Sequence, residues 1–363
     1  MRDIVFKIAR ILLQKQIAFC IYRFPKEETL RLAIANGILS PKTKKLWIAP
    51  FLNTSKAEPV FLEVLNTEEL NETVVNTLIA LPPKEYASKV RLPKETTKTE
   101  YFTSIEAFLN DIHSGKLDKA ILSRVILQSK PENFDVLACF EQICIAYPDT
   151  FSHLSLLPNS EIWMGATPEL LLNKEGNTIR TMTLAGTQAR RDDNNYSWGK
   201  KELEEHAMTG LHIEKNISKY NGEIVSKNET PYTVTSGKVA HLRTDYIFNT
   251  PTNFDLTAFI NALHPTPAVG GLPVANGLQC IKEHEGYDRA YYCGIIGETD
   301  FATTAKLFVN LRCMQIGESN IAIYVGGGIT SASVPEDEWQ ETILKSKTMT
   351  EIIQPKIPNS ILQ

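Results

Sequence analysis

YVGGGITSASVPEDEWQETILKSK, residues 324–347, changes character in its middle. Its start continues the apolar run Ile321–Val325, which reads as a strand. Its end reads as a helix over 335–352: Ser333 and Glu336 fit the S-x-x-E capping pattern, and Pro335 suits a first helical turn. Between them stands Gly326-Gly327-Gly328. A glycine run after a strand can cradle phosphate, but no G-K-[S/T] follows and no G-x-G-x-x-G frame fits, so a nucleotide loop is rejected. Glycine also lets a ligand approach the backbone closely.

Outward from this segment, strands dominate. Ala120–Gln128 and Lys306–Ile316 read as strands, and Glu161–Ala166 and Leu170–Asn173 flank a turn at Thr167-Pro168-Glu169. Helices are expected from Thr103 or Ser104 to Gly115, over 199–219 and over 278–291. Residues 1–95 read as an amphipathic helix followed by short strands, with no chemical motif, and 82–100 as a polar connector. Strands and helices alternate irregularly, so the class is α+β rather than a doubly wound sheet.

The 363 residues suffice for a sizeable core. With 38 Lys+Arg against 42 Asp+Glu the net charge is −4, without the basic excess of a nucleic-acid binder. No two of the six cysteines have C-x-x-C spacing, which favours free thiols in a reducing cytoplasm. Arg2, Asp3, Lys7, Arg10 and Lys15 interrupt the apolar residues of 1–22, leaving neither a signal segment nor a membrane span. The expected setting is cytoplasmic, with no nucleic-acid or membrane partner.

Two Glu-x-x-Glu elements carry chemistry: Glu202/Glu205 and Glu338/Glu341. Residues three apart share a helix face, so each pair presents two carboxylates in one direction. Two such pairs brought together repel unless a cation lies between them, and hard oxygens without His or Cys point to Mg²⁺. Either pair alone reads equally as a solvated helix face, and Lys345, four residues after Glu341, offers a plain salt bridge.

Context adds to this. In order, KLDKAILSR (116–124), GATPELLL (165–172), TMTLAGTQAR (181–190), KELEEHAMTG (201–210), VAHLRTDY (239–246), LHPTPAVGG (263–271), EGYDRAYYCGIIGE (285–298), KLFVNLRCM (306–314) and the opening segment resemble the chorismate-utilising enzymes. The resemblance implies a large layered α/β sandwich with mixed, largely antiparallel sheets flanked by helices. It implies a chorismate-binding catalytic domain over 100–353, with residues 1–95 packed as part of the same fold. It further implies Mg²⁺ at Glu205 and Glu341, with Glu202 and Glu338 supporting through water. Substrate would be held by Arg312, Lys345, Gly326, Gly328, Tyr292 and His241, with Ala262 and Leu263 along the ring. Arg312 is expected on one strand face with Phe308 and Asn310.

Within the family, Lys119 resembles the base that activates water to attack C2 of chorismate, and Glu169 the acid that protonates the departing C4 hydroxyl. Ala185 stands where aminating relatives carry a nucleophilic lysine, and Thr183 where they carry proline. These positions imply water as nucleophile, isochorismate as product, and no obligatory glutamine amidotransferase. The alternative is a salicylate synthase, which adds pyruvate elimination. The product would feed menaquinone or siderophore synthesis.

Overall fold

The computed structural model describes residues 2–39, 42–52, 55–84 and 90–353. The chain opens with α1 (Arg2–Lys15), β1 (Phe19–Arg23), β2 (Arg31–Ala35), β3 (Lys45–Ala49), β4 (Val60–Leu65) and α2 (Glu72–Ala80). It continues through α3 (Lys98–His113), β5 (Lys119–Ser129), α4 (Val136–Ala146), β6 (Phe151–Leu156), β7 (Ile162–Thr167), β8 (Leu170–Glu175) and β9 (Thr178–Ala189). Next come α5 (Lys200–Lys219), β10 (Glu223–Lys227), β11 (Tyr232–Ser236), β12 (Val239–Asn249), α6 (Leu256–Leu263), β13 (Gly271–Leu272) and α7 (Val274–His284). It closes with β14 (Ile295–Thr299), β15 (Thr304–Val309), β16 (Cys313–Ile316), β17 (Asn320–Thr330) and α8 (Pro335–Ile353).

Followed from partner to partner, the strands form one run: β13–β5–β17–β16–β7–β6–β1–β2–β4–β3–β14–β15–β8–β9–β12, with β10 and β11 both on β12. Among the described residues every pairing is antiparallel, and the expected largely antiparallel sheets form one continuous run. The run doubles back into two layers. Phe151 of β6 stacks on Phe308 of β15 with ring centroids 4.6 Å apart, and Phe24 lies 6.1 Å from the same ring. Helices α1, α2 and α4 cover the outer face of the first layer over a second apolar core. β1 therefore buries both faces: Cys20 and Tyr22 point between the layers, Phe19 and Ile21 toward the helices. Residues before 95 are thus interleaved with the rest, β1 pairing with β6 and β3 with β14.

Several local expectations change. Lys306–Ile316 is two strands, β15 on β8 and β16 on β7, in different layers. The helix expected over 278–291 runs from Val274, just after Pro273, to His284, and Gly286 at φ 81° follows it. Helix α3 starts at Lys98 because Thr97 and Glu100 cap it reciprocally, which shortens the connector. Ser333 does not form a capping box with Glu336; its Oγ accepts from the Thr330 N–H, while Glu336 lies 2.7 Å from Lys98. The six cysteines are free and buried. Among the described residues no helix is long and apolar enough to cross a membrane.

Candidate active site

The chain changes layer twice at one place. β7 passes through Pro168 and Glu169 into β8, and β15 passes through Asn310, Leu311 and Arg312 into β16. The two crossings are bonded side by side. The Val309 N–H donates to the Glu169 carbonyl at 3.0 Å and the Ala166 N–H to the Arg312 carbonyl at 3.0 Å. The Thr167 hydroxyl donates to the Val309 carbonyl at 2.6 Å. Arg312 does not share a strand face with Phe308 and Asn310: it sits in the left-handed region at φ 47°. That backbone is strained for a non-glycine residue and persists because the surrounding bonds fix it.

Beside the crossings lies a cavity lined by Glu169, Arg312, Tyr292 and His241, and closed by Glu205, Gly326, Gly328 and Lys345. Its void is about 80 Å³. Lys119 does not line the wall; it is fully buried behind Gly328. A Cβ at Gly328 would stand 2.6 Å from Glu205 Oε1 and 3.0 Å from Lys119 Cε, so a side chain there would push these two groups aside. Ala262 and Leu263, expected along the ring, are not in this wall. Leu263 packs into the core instead, and Ala268 and Val269 of the same loop take its place.

Three lysines answer three of the four glutamates. Lys119 Nζ lies 2.7 Å from Glu205 Oε1, Lys201 Nζ 2.6 Å from Glu338 Oε1, and Lys345 Nζ 2.6 Å from Glu341 Oε1. The first contact is charge against charge, without the angles of a hydrogen bond, since Lys119 Nζ has no hydrogen-bond partner. Lys345 also donates to the Gly326 carbonyl at 2.9 Å. Burial pushes the Glu205 carboxyl up, but Lys119, Lys345 and Lys201 outweigh it and hold the group below its ordinary value. Glu338 goes the other way: burial and then the neighbouring Glu341 raise it, against Lys201. Glu202 makes none of these pairs. It occupies the first turn of α5, its Oε2 2.8 Å from where Gly199 would carry a Cβ, at the helix end that favours an acid.

This donor set suits a hard divalent cation in kind. All its candidate donors are carboxylate oxygens, and Glu338 and Glu341 are close enough to raise the cost of ionising both. In this arrangement the ammonium groups supply the positive charge. Lys201, which sequence reasoning passed over although it directly precedes Glu202, is the cation that senses Glu338, Glu341 and Glu205 together.

Glu169 is placed differently. Burial pushes its carboxyl up to about 7, against the opposing pull of Lys119, Lys345 and Arg312. Burial thus favours its protonated form well above the usual carboxylate range, the condition for a general acid. Arg312 is fixed by two partners: Nη2 donates to His241 Nε2 at 3.1 Å and Nη1 to the Thr348 hydroxyl at 3.3 Å. His241 Nδ1 lies 3.1 Å from the Gly186 carbonyl, so the network assigns its proton to Nδ1. Burial, then Arg312 and Lys345, keep this imidazole neutral. The Gly186 carbonyl reaches it because β9 bulges: the register against β12 slips between His241 and Leu242, and Gly186 takes φ 79°. Ala185, beside the bulge, lines the cavity, whereas the buried Thr183 hydroxyl faces Gly210 of α5.

The sequence matches the family described as chorismate binding enzyme over residues 32–354. It is 27% identical over 269 residues to the isochorismate synthase EntC of Escherichia coli strain K12, covering 72% of this chain and 68% of that one. It is 28% identical over 260 residues to the vibriobactin-specific isochorismate synthase of Vibrio cholerae, covering 69% and 65%. The menaquinone-specific isochorismate synthase MenF of Escherichia coli superposes with a TM-score of 0.75 at 20% identity, over 95% of this chain and 90% of that one. Anthranilate synthase component I of Streptococcus pneumoniae superposes at 0.68 and 16%, over 92% and 90%. The architecture is thus shared by proteins named for different reactions.

Proposed function

We propose that this chain, which belongs to the chorismate-binding enzymes, is an isochorismate synthase. Water adds at C2 of chorismate, the ring double bonds shift, and the C4 hydroxyl leaves as water, so one water enters and one departs. The observation that carries this reading is the pairing of Glu169, a buried carboxyl held up to about 7, with the buried amine Lys119.

Lys119 accepts the proton of the attacking water, for which it has to leave Glu205. Glu169 gives its proton to the departing hydroxyl. Arg312 offers its guanidinium fork to the enolpyruvyl carboxylate, already oriented by His241 and Thr348. Lys345 reaches the same space over the Gly326 carbonyl, and Tyr292, whose hydroxyl lies beside Gly326, forms the neighbouring wall. Mg²⁺ held by Glu205 and Glu341, with Glu202 and Glu338 in support, would neutralise the ring carboxylate of the substrate. Ala185 puts no amine nucleophile at the β9 bulge, which favours water.

Product analysis tests this. The protein with chorismate and Mg²⁺ should give isochorismate, with or without ammonium. Salicylate and free pyruvate would add a lyase step, as in the alternative reading. Anthranilate or aminodeoxychorismate formed with ammonium would overturn the assignment of water.

A further inference from the structure

We propose that Asp111, Cys280 and His284 form a second metal site, suited to a thiophilic divalent cation such as Zn²⁺. The three side chains come from two helices, α3 and α7, and none of them lines the chorismate cavity. Cys280 and His284 are four apart on α7, hence on one face. Asp111 faces them from α3, and the three ligand atoms all lie within 4.8 Å of one another.

The Cys280 thiol is a hydrogen-bond partner of Asp111, and an ion would displace its proton; the His284 edge has the spacing of a coordination shell. His284 Nε2 and Asp111 Oδ2 are 3.8 Å apart, too far for a hydrogen bond. With bonds of about 2.1 Å, two ligands on a tetrahedral zinc ion stand ~3.4 Å apart. A contraction of a few tenths of an ångström closes that edge. The remaining position can be filled by water or by Glu283, whose Oε2 is also 3.8 Å from His284 Nε2.

The surroundings orient these groups. Lys116 donates to Asp111 Oδ1 at 2.5 Å, leaving Oδ2 for the site. The Ser104 hydroxyl donates to the His284 carbonyl at 2.7 Å and pins the end of α7 to α3. Phe108 packs edge-on to the His284 ring, with centroids 6.3 Å apart. One thiolate, one imidazole and one carboxylate select a borderline-soft cation over Mg²⁺. The ion would bridge α3 to α7 across the turn that leads into β5 and Lys119.

Cobalt reports on this directly. The 363-residue chain, stripped by chelator and titrated with Co²⁺, should develop a thiolate-to-cobalt charge-transfer band. Zn²⁺ should abolish the band and excess Mg²⁺ should leave it. Cys280→Ser and His284→Ala should each lose it, while Glu341→Gln, at the chorismate cavity, should keep it. Zn²⁺ should also raise the thermal midpoint of the unsubstituted protein, because it binds only the folded chain. A folded, unsubstituted protein without the band would overturn the site, whatever the variants do. Survival of the band in Cys280→Ser would assign the thiolate elsewhere and overturn it too.

Discussion

Glu169→Gln should cost activity and add stability at alkaline pH. The carboxyl is held up to about 7 from an ordinary 4.5, with burial the main cause, so the folded chain binds this proton more tightly than the unfolded chain does. The stability it contributes is complete below 4.5 and is lost as pH rises through about 7. At 1.36 kcal/mol per tenfold, that interval corresponds to about 3 kcal/mol. Glutamine matches the protonated acid in shape and cannot ionise. The variant should therefore lack this decline and exceed the native protein by about 3 kcal/mol at about pH 8, while matching it near pH 4. Urea unfolding followed by tryptophan fluorescence measures both. The same change removes the proton offered to the leaving hydroxyl, so kcat should drop by about 10²–10⁴-fold. Native kcat/KM should itself decline tenfold per pH unit above about 7. A variant no more stable than native at the higher pH would refute the buried, protonated carboxyl. Unchanged kcat would refute its role as acid.

Lys119→Ala should abolish turnover and, by leaving Glu205 without its closest cation, lower stability by about 3–5 kcal/mol; unaltered steady-state rates would remove it from the mechanism. Arg312→Lys loses the fork that reaches His241 and Thr348, so KM for chorismate should rise at least tenfold, worth about 1.5–3 kcal/mol; an unchanged KM would show that the carboxylate is held elsewhere. Gly328→Ala puts a methyl 2.6 Å from Glu205 Oε1, so activity should collapse and the urea midpoint fall, by about 1–3 kcal/mol of overpacking. Glu341→Gln frees Lys345 and removes one proposed ligand, so half-saturation by Mg²⁺ should shift upward; a titration curve identical to native would count against that ligand.

The strands and helices that carry the site were legible because their local signals agree with their surroundings. β5 and β17 are apolar, β-rich runs, and α5 and α8 keep their acidic pairs at helical spacing. The break between β15 and β16 was hidden. Asn310-Leu311-Arg312 contains neither glycine nor proline, and the chain turns there because the two layers diverge. For the same reason Arg312 looked like a strand residue, although its backbone is left-handed. Thr97 and Glu100 did carry a readable capping signal that the polar connector masked. Lys201 was unreadable as a site residue: its meaning is its 2.6 Å distance to Glu338, 137 positions away. The loop after α6 was located, but its folding, not its residue order, brings Ala268 and Val269 rather than Leu263 to the cavity wall.

The joined crossings also bear on how such a protein can diversify. Glu169 and Arg312 are tied to one another through the backbone, Glu169 to Val309 and Arg312 to Ala166, so neither can move alone without breaking both layers. Their separation is in effect a fixed ruler. On the proposed reading, the groups that choose the nucleophile sit elsewhere: Lys119 at the start of β5, paired with Leu272 of β13 and Thr330 of β17, and Ala185 beside a one-residue bulge in β9. Neither position takes part in the backbone bonds that set the ruler. On that reading, substitution at the strand start or the bulge would alter the nucleophile, while the bonded crossings keep the spacing of Glu169 and Arg312.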